Sequence, residues 1–214
     1  MHRKQINMGI ADRKEREKLE MKRLIMEASM RMFLEVGYEK TSIRNIAEKI
    51  EYSPATIYLY YKDKDELLYD LQAQAFEQLF DAFKEKATSR SPLKKIEQIA
   101  KTYVQFGLEK PDLYDLMFII RSPMKKLEKE DGTEAWDNGD NCFNFLLDTI
   151  QQALDQKLLK FKDKSVAALS MWAMVHGLVS LNVRCRLNVM NIEEDGIAGA
   201  IDVTIDEYLK MIKI

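Results

Sequence analysis

An all-α fold is what this sequence predicts, and three observations predict it. Apolar residues recur every three or four positions through most of the 214-residue chain, the period of a helix with one buried face. Alternating β-branched runs are scarce, and eight glycines and four prolines are few. The 46% hydrophobic content is enough for a full core, and the length suits one large or two modest domains.

The first helix runs from Arg13 to Val36, with Leu24, Ile25, Ala28, Met32, Phe33 and Val36 on one stripe. Gly37 ends it, since a glycine followed by Tyr38 suits a left-handed cap closed by a hydrophobic contact. Ile43, Ile46, Ala47 and Ile50 fall at i, i+3, i+4 and i+7 and define a second helix, capped by Thr41 or Ser42. A break, Glu51 to Pro54, follows. Within it Ser53 precedes Pro54, the pairing of an N-cap with proline at the first helical position. The short helix that starts there turns Ile57 and Tyr61 inward and Ala55, Thr56, Tyr58, Leu59 and Tyr60 outward. Asp63 and Glu66 make an aspartate version of the capping box for the next helix, with Lys64 in its first turn.

From Asp65 a long helix reaches about Lys86, its apolar face made by Leu67, Leu68, Leu71, Ala75, Leu79, Phe80 and Phe83. Residues 88–92 are a linker. The next helix carries Ile96, Ile99, Ala100, Tyr103, Val104, Phe106 and Leu108 and stops near Pro111, before a short helix from Asp112 to Ile120. Residues 121–141 contain Pro123, Gly132, Gly139 and many charges, and read as a surface loop or short helix. The period resumes from Asn141 to Leu159 with Phe143, Leu146, Leu147, Ile150 and Leu154. Asp163 caps a helix holding Val166, Leu169, Trp172, His176, Leu181 and Val183. The last helix, about Glu193 to Ile212, aligns Ile197, Ile201, Ile205, Tyr208 and Ile212. The expected organisation is a domain over residues 1–64 and a larger helical one over 65–214.

Residues 41–61 thus form a helix, a tight turn and a second helix, an arrangement that places 54–61 in a DNA major groove. Three large apolar or aromatic side chains on an outward face need a cover, and phosphates and base edges supply one. Residues 22–67, from Lys22 through Phe33, Gly37, Thr41, Ile46-Ala47, Ser53, Thr56-Ile57-Tyr58, Tyr61 and Lys64 to Leu67, resemble the DNA-binding domain of TetR-type transcriptional regulators. Two positions depart from that family, which often has an aromatic or polar residue where this chain has Leu59 and usually carries glycine in the turn where this chain has Glu51. A left-handed conformation there costs a non-glycine residue roughly 1–2 kcal/mol. The resemblance implies base contacts from Ala55, Thr56 and the residue at position 59, where the departure to Leu59 suggests contact with a thymine methyl. It implies phosphate contacts from Thr41, Ser42, Arg44, Ser53, Tyr58, Tyr60 and Lys64. It also implies a homodimer through the last two helices, where the Trp172-x-x-x-His176-Gly177 stretch is similar to the family's dimerisation segment. Two copies then read a palindromic double-stranded DNA operator.

Charge supports this division. Net charge is −2, yet residues 1–64 hold 14 Lys or Arg against 10 Asp or Glu, while 65–214 hold 19 against 25. Residues 1–23 carry the excess, either as an arm that tracks DNA or as a solvated helix start. Cys142 and Cys185 match neither a zinc pattern nor a disulfide framework, as expected of thiols in a reducing cytoplasm. Met1 to Ile10 lacks the apolar core of a signal peptide. The 16-residue apolar run Val166–Leu181 falls short of the roughly 20 needed to span a bilayer, and reads as a buried helix. A cytoplasmic protein without membrane association is expected.

In the second domain Tyr103, Phe106, Met117, Phe118, Phe143, Met171, Trp172 and His176, with Trp136 and Met174, are soft or aromatic. They suit the wall of a cavity for a small, mostly apolar effector. Equally they suit plain core, with His176 a hydrogen-bonded core histidine. There is no glycine-rich phosphate loop, no HExxH and no nucleophile elbow, so no enzyme, cofactor or metal is expected. The sequence therefore points to a ligand-responsive, DNA-binding repressor. The alternative is a helical dimer that binds a ligand or a protein partner without reading DNA.

Overall fold

A computed structural model describes residues 9–120, 138–190 and 194–214. The expectations for the start of the basic arm, for most of the 121–141 stretch and for Trp136 lie outside them. Among the described residues the chain forms helices α1 (Ile10–Met32), α2 (Ile43–Lys49), α3 (Pro54–Tyr58), α4 (Lys64–Lys86), α5 (Pro92–Glu109), α6 (Pro111–Phe118), α7 (Asp140–Asp155), α8 (Lys164–Val183) and α9 (Glu194–Ile212). The packing divides into two compact units, one made of the described residues up to Leu71 together with Ile120, the other starting at Gln72 and taking in the rest.

In the first unit α1 packs on α2, and α2 on α3. Ile25, Phe33, Ile46, Ala47, Ile57, Tyr61, Leu67 and Leu68 are buried together. After Met32 the helix passes into one π turn, Phe33–Gly37. The wider turn carries Val36 off the expected stripe, and both Val36 and Leu24 stay exposed. Gly37 ends the turn at φ 96°, and the Phe33 and Tyr38 rings close the cap edge to face at 5.1 Å. Lys22 of α1 reaches Asp70 of α4 at 3.6 Å.

The second unit is built around α5, which packs on α6, α7, α8 and α9. Its core gathers Ile96, Ile150, Ala153, Leu159, Ala167, Ala168, Met171 and Ile212. Gly107 lets α5 approach α8, since a Cβ there would lie 2.6 Å from Val179 Cγ1. The chain's end is pinned to the α7–α8 turn, where Lys160 N–H donates to the Ile212 carbonyl at 2.9 Å and Ile214 N–H to that of Leu158 at 3.1 Å. Lys101 joins α5 to α9 through Asp206 at 2.9 Å.

The reading of α8 as a buried helix is corrected in part. Ala167, Ala168, Met171, Val175 and Val179 are buried, but Val166, Leu169 and Leu181 on another face are exposed. By length and composition alone α8 is long and apolar enough to cross a membrane; in the fold it packs on α5 and α7.

Candidate functional site

The helix-turn-helix is assembled by short polar caps. Ser42 Oγ accepts from Asn45 N–H at 3.2 Å while Asn45 Oδ1 accepts from Ser42 N–H at 3.2 Å, a closed capping box at the start of α2. Ser53 Oγ accepts from Thr56 N–H at 3.2 Å, with Pro54 at the first helical position of α3. Between them Glu51 adopts φ 59°, and Tyr52 N–H reaches back to the Ala47 carbonyl at 3.0 Å. The glycine-type turn therefore forms with a glutamate in the strained position. Asp63 caps α4, its carboxylate accepting from the Asp65 and Glu66 N–H groups at 2.9 Å. The reciprocal arm differs from expectation: Glu66 accepts from Lys62 N–H, not from Asp63.

Ile57 and Tyr61 point inward, and the outward face of α3 is as expected. Leu59 is 81% exposed and Tyr58 57%. Ala55 and Ser53 are exposed, and Thr56 and Tyr60 half-buried. Ser42 is exposed, and so is Arg44, which lies 3.6 Å from Glu48 one turn along α2.

Two expected phosphate contacts are corrected. Thr41 is 2% exposed, and its hydroxyl lies 2.9 Å from the Gly37 carbonyl as a donor, closing the end of the preceding turn. Lys64 turns inward, because its ammonium donates to the carbonyls of Tyr38 at 2.9 Å and Thr41 at 3.3 Å and stands over the Tyr38 ring. The Tyr38 hydroxyl in turn donates to Asp65. Burial and the neighbouring Asp65 carboxylate hold that phenol well above its ordinary pKa. Lys64, Tyr38 and Asp65 thus lock the start of α4 to the loop before α2.

A second feature lies within the unit that starts at Gln72. A cavity of about 210 Å³ opens among Phe76, Leu79 and Phe83 of α4, Ile96, Ile99, Ala100 and Tyr103 of α5, Phe118 of α6, and side chains of α7, α8 and α9. Cys142, Phe143, Leu146, Met171, Trp172, Met174, Val175, Tyr208 and Leu209 complete the wall, with Asn138, Gly139 and Asp140 at one edge. Gly139, at φ 93°, permits this edge to close, since a Cβ would lie 2.9 Å from the Phe76 ring.

Six of the expected ligand contacts, Tyr103, Phe118, Phe143, Met171, Trp172 and Met174, line this cavity. Phe106 and Met117 are buried elsewhere in the unit, and His176 is not on the wall. Its Nδ1 lies 3.1 Å from the Tyr103 hydroxyl and 3.0 Å from that of Tyr114, and Tyr114 also donates to the His176 carbonyl. His176 is therefore a hydrogen-bonded histidine behind the wall. The contributions of α4 and of Tyr208 and Leu209 were not anticipated. Their apolar period was visible, but a period does not tell a core face from a cavity face.

Burial, with Arg184 adding charge repulsion, lowers the pKa of His176. In the unfolded chain the imidazole titrates near 6.5. Below that pH the unfolded state takes up a proton that the folded state resists, so stability falls with acidification from about 6.5 down to the lowered folded value. Thermal melts between neutral and mildly acid pH are expected to show this slope, and His176→Gln is expected to flatten it. The Cys142 thiol is pushed up to about 12 by burial, which makes it an inert part of the wall.

Comparison with known proteins adds to this geometry. The model of "bacterial regulatory proteins, tetR family" matches residues 25–71, and that of the "tetracyclin repressor-like, C-terminal domain" matches residues 96–206. The fatty acid metabolism regulator protein of Bacillus subtilis (strain 168) is 33% identical over 73 residues, 32% of this chain and 38% of that protein. The match therefore spans well under half of that relative's length. Among solved structures, the fatty acid degradation regulator FadR from Bacillus halodurans is similar at TM-score 0.67 and 14% identity, covering 88% of this chain and 93% of that one. AibR in complex with isovaleryl coenzyme A and operator DNA is similar at TM-score 0.61 and 21% identity, covering 74% and 85%. At these identities the structural likeness is one of fold.

Proposed function

The chain belongs to the TetR family of bacterial regulatory proteins, and from that premise we propose that it represses transcription as a homodimer on a palindromic operator and is released by a small, mostly apolar effector. One observation carries the reading. Helix α4 begins in the reading head at Lys64 and further along supplies Phe76, Leu79 and Phe83 to the cavity wall. Occupation of the cavity would bear on the same helix that holds the head.

A specific link supports this coupling. Gln72 of α4 is 1% exposed, and its Nε2 donates to the Leu116 carbonyl of α6 at 3.0 Å. Two residues further on, Phe118 enters the cavity wall, with its ring 5.8 Å from Tyr103 and 6.2 Å from Trp172. An effector that displaces Phe118 would move α6 and, through Gln72, α4. Two heads held at a changed separation no longer fit both half-sites.

The second copy has a suitable surface in the exposed faces of α8 and α9. Val166, Leu169 and Leu181 on one and Val203 and Met211 on the other are exposed. Gly177 and Gly199 sit inside these helices, yet a Cβ at either would meet nothing within 4 Å. Glycine in a helix interior is destabilising by roughly 0.5–1 kcal/mol, and close approach of a partner helix is what it offers in return. Relatives that regulate fatty acid metabolism or degradation, or that bind isovaleryl coenzyme A, support an acyl-bearing effector.

We assign Ala55, Thr56 and Leu59 to base edges and Ser42, Arg44, Ser53, Tyr58 and Tyr60 to phosphates, with Thr41 and Lys64 acting from inside the head. Arg44→Ala is expected to weaken all duplex sequences about equally and to reduce the salt slope by about one. Leu59→Ala is expected to change which base is preferred, by about 1–3 kcal/mol at one position. Binding titrations at two salt concentrations on operator and single-base variants check both. Uniform loss from both variants would overturn the assignment.

A further inference from the structure

Resting on the reading of the cavity as the effector site, we propose that the cavity admits only an uncharged hydrocarbon group. Of two ligands with the same chain, the neutral alcohol or ester then enters and the free carboxylate is refused. The argument starts from charge. Among the described residues that line the cavity there is no lysine, arginine or histidine, and the ionised group is the exposed Asp140 at its edge. That carboxylate has the sign that repels another.

The polar atoms of the wall are engaged within the protein. Trp172 Nε1 donates to the Tyr103 hydroxyl at 3.4 Å, and that hydroxyl is bonded to His176 Nδ1 at 3.1 Å. Tyr208 is held by Ser170 at 2.6 Å, and the Cys142 thiol donates to the Phe76 carbonyl at 3.5 Å. Asn138 is not free either. A carboxylate drawn inside would lose its water and find no cation, a penalty far larger than that of a neutral polar group. It would enter only after taking up a proton.

The test compares decan-1-ol, methyl decanoate and decanoic acid on the full-length Trp136→Phe variant, in which Trp172 is the remaining tryptophan. Binding is followed by its fluorescence at about pH 6.5 and about pH 8.5, conditions that change the protonated fraction of the acid about a hundredfold. The alcohol and the ester are expected to bind alike at both. The acid is expected to bind at least about tenfold more weakly at the higher pH and to recover at least about tenfold at the lower. Asp140→Lys is expected to raise the ratio of acid to alcohol affinity about tenfold by placing a cation at the edge. An acid that matches the alcohol at the higher pH, or whose affinity ignores pH, overturns the proposal while leaving the effector site standing. Failure of all three probes to bind overturns the effector reading itself.

Discussion

Replacing Leu169 and Val203 together with glutamate is expected to yield a folded monomer whose operator affinity falls by roughly a hundredfold or more. Both residues are 60% exposed within the single chain, so neither substitution disturbs a buried contact of the monomer. Across a symmetric α8–α9 interface, each glutamate would instead meet apolar surface and its own symmetry mate, unpaired and stripped of water. One recognition helix then binds a half-site without the effective concentration that the second supplies. Sedimentation with circular dichroism reads the assembly and the fold, and a gel-shift titration reads the affinity. A double variant that stays dimeric and keeps its helicity would place the interface elsewhere.

Ile57→Ala is expected to melt the reading head and abolish operator binding while leaving the cavity able to take a ligand. Ile57 is 0% exposed and, with Tyr61, anchors a five-residue helix that has little else to hold it. Truncating a buried isoleucine costs about 2–5 kcal/mol, a large share of what a head of this size holds. The head's transition is expected to drop by on the order of 10 °C or more. Calorimetry reads that drop, and a fluorescent apolar probe reads the cavity. Simultaneous loss of both activities would show that the two units do not fold independently.

Much of this was legible in the sequence for a local reason. The caps of α2 and α3 lie within three residues of the amides they serve, so Thr41-Ser42 before Ile43 and Ser53 before Pro54 declare the helix starts without tertiary help. Glu51 declared the opposite, a residue out of place for its turn, and the φ of 59° shows that the fold imposes the left-handed turn on it. Lys64 misled because its partners are tertiary, the carbonyls of Tyr38 and Thr41 more than twenty residues back. Thr41 misled because a hydroxyl that closes the turn behind it, on the Gly37 carbonyl four residues back, looks the same in sequence as one that caps the helix ahead. Likewise the 3.6 period assigned apolar faces correctly along α4 and α5, but along α8 it picked Val166, Leu169 and Leu181, which are exposed, because a period carries no sign of whether a face meets core, cavity or a second copy. Gln72 gave no signal at all, since a lone glutamine on an apolar face is ordinary until the carbonyl it meets is seen.

The most direct test is to select binding sites for the purified protein from random duplex DNA and to titrate the selected site at two salt concentrations, with and without an apolar acyl ester. The account predicts a palindrome with half-sites about one helical turn, roughly 34–36 Å, or a multiple of it apart. Binding should weaken steeply with salt and be lost on adding the ester. No enriched sequence from a folded dimer that still binds the ester would contradict it, and would leave a ligand-binding helical dimer that does not read DNA.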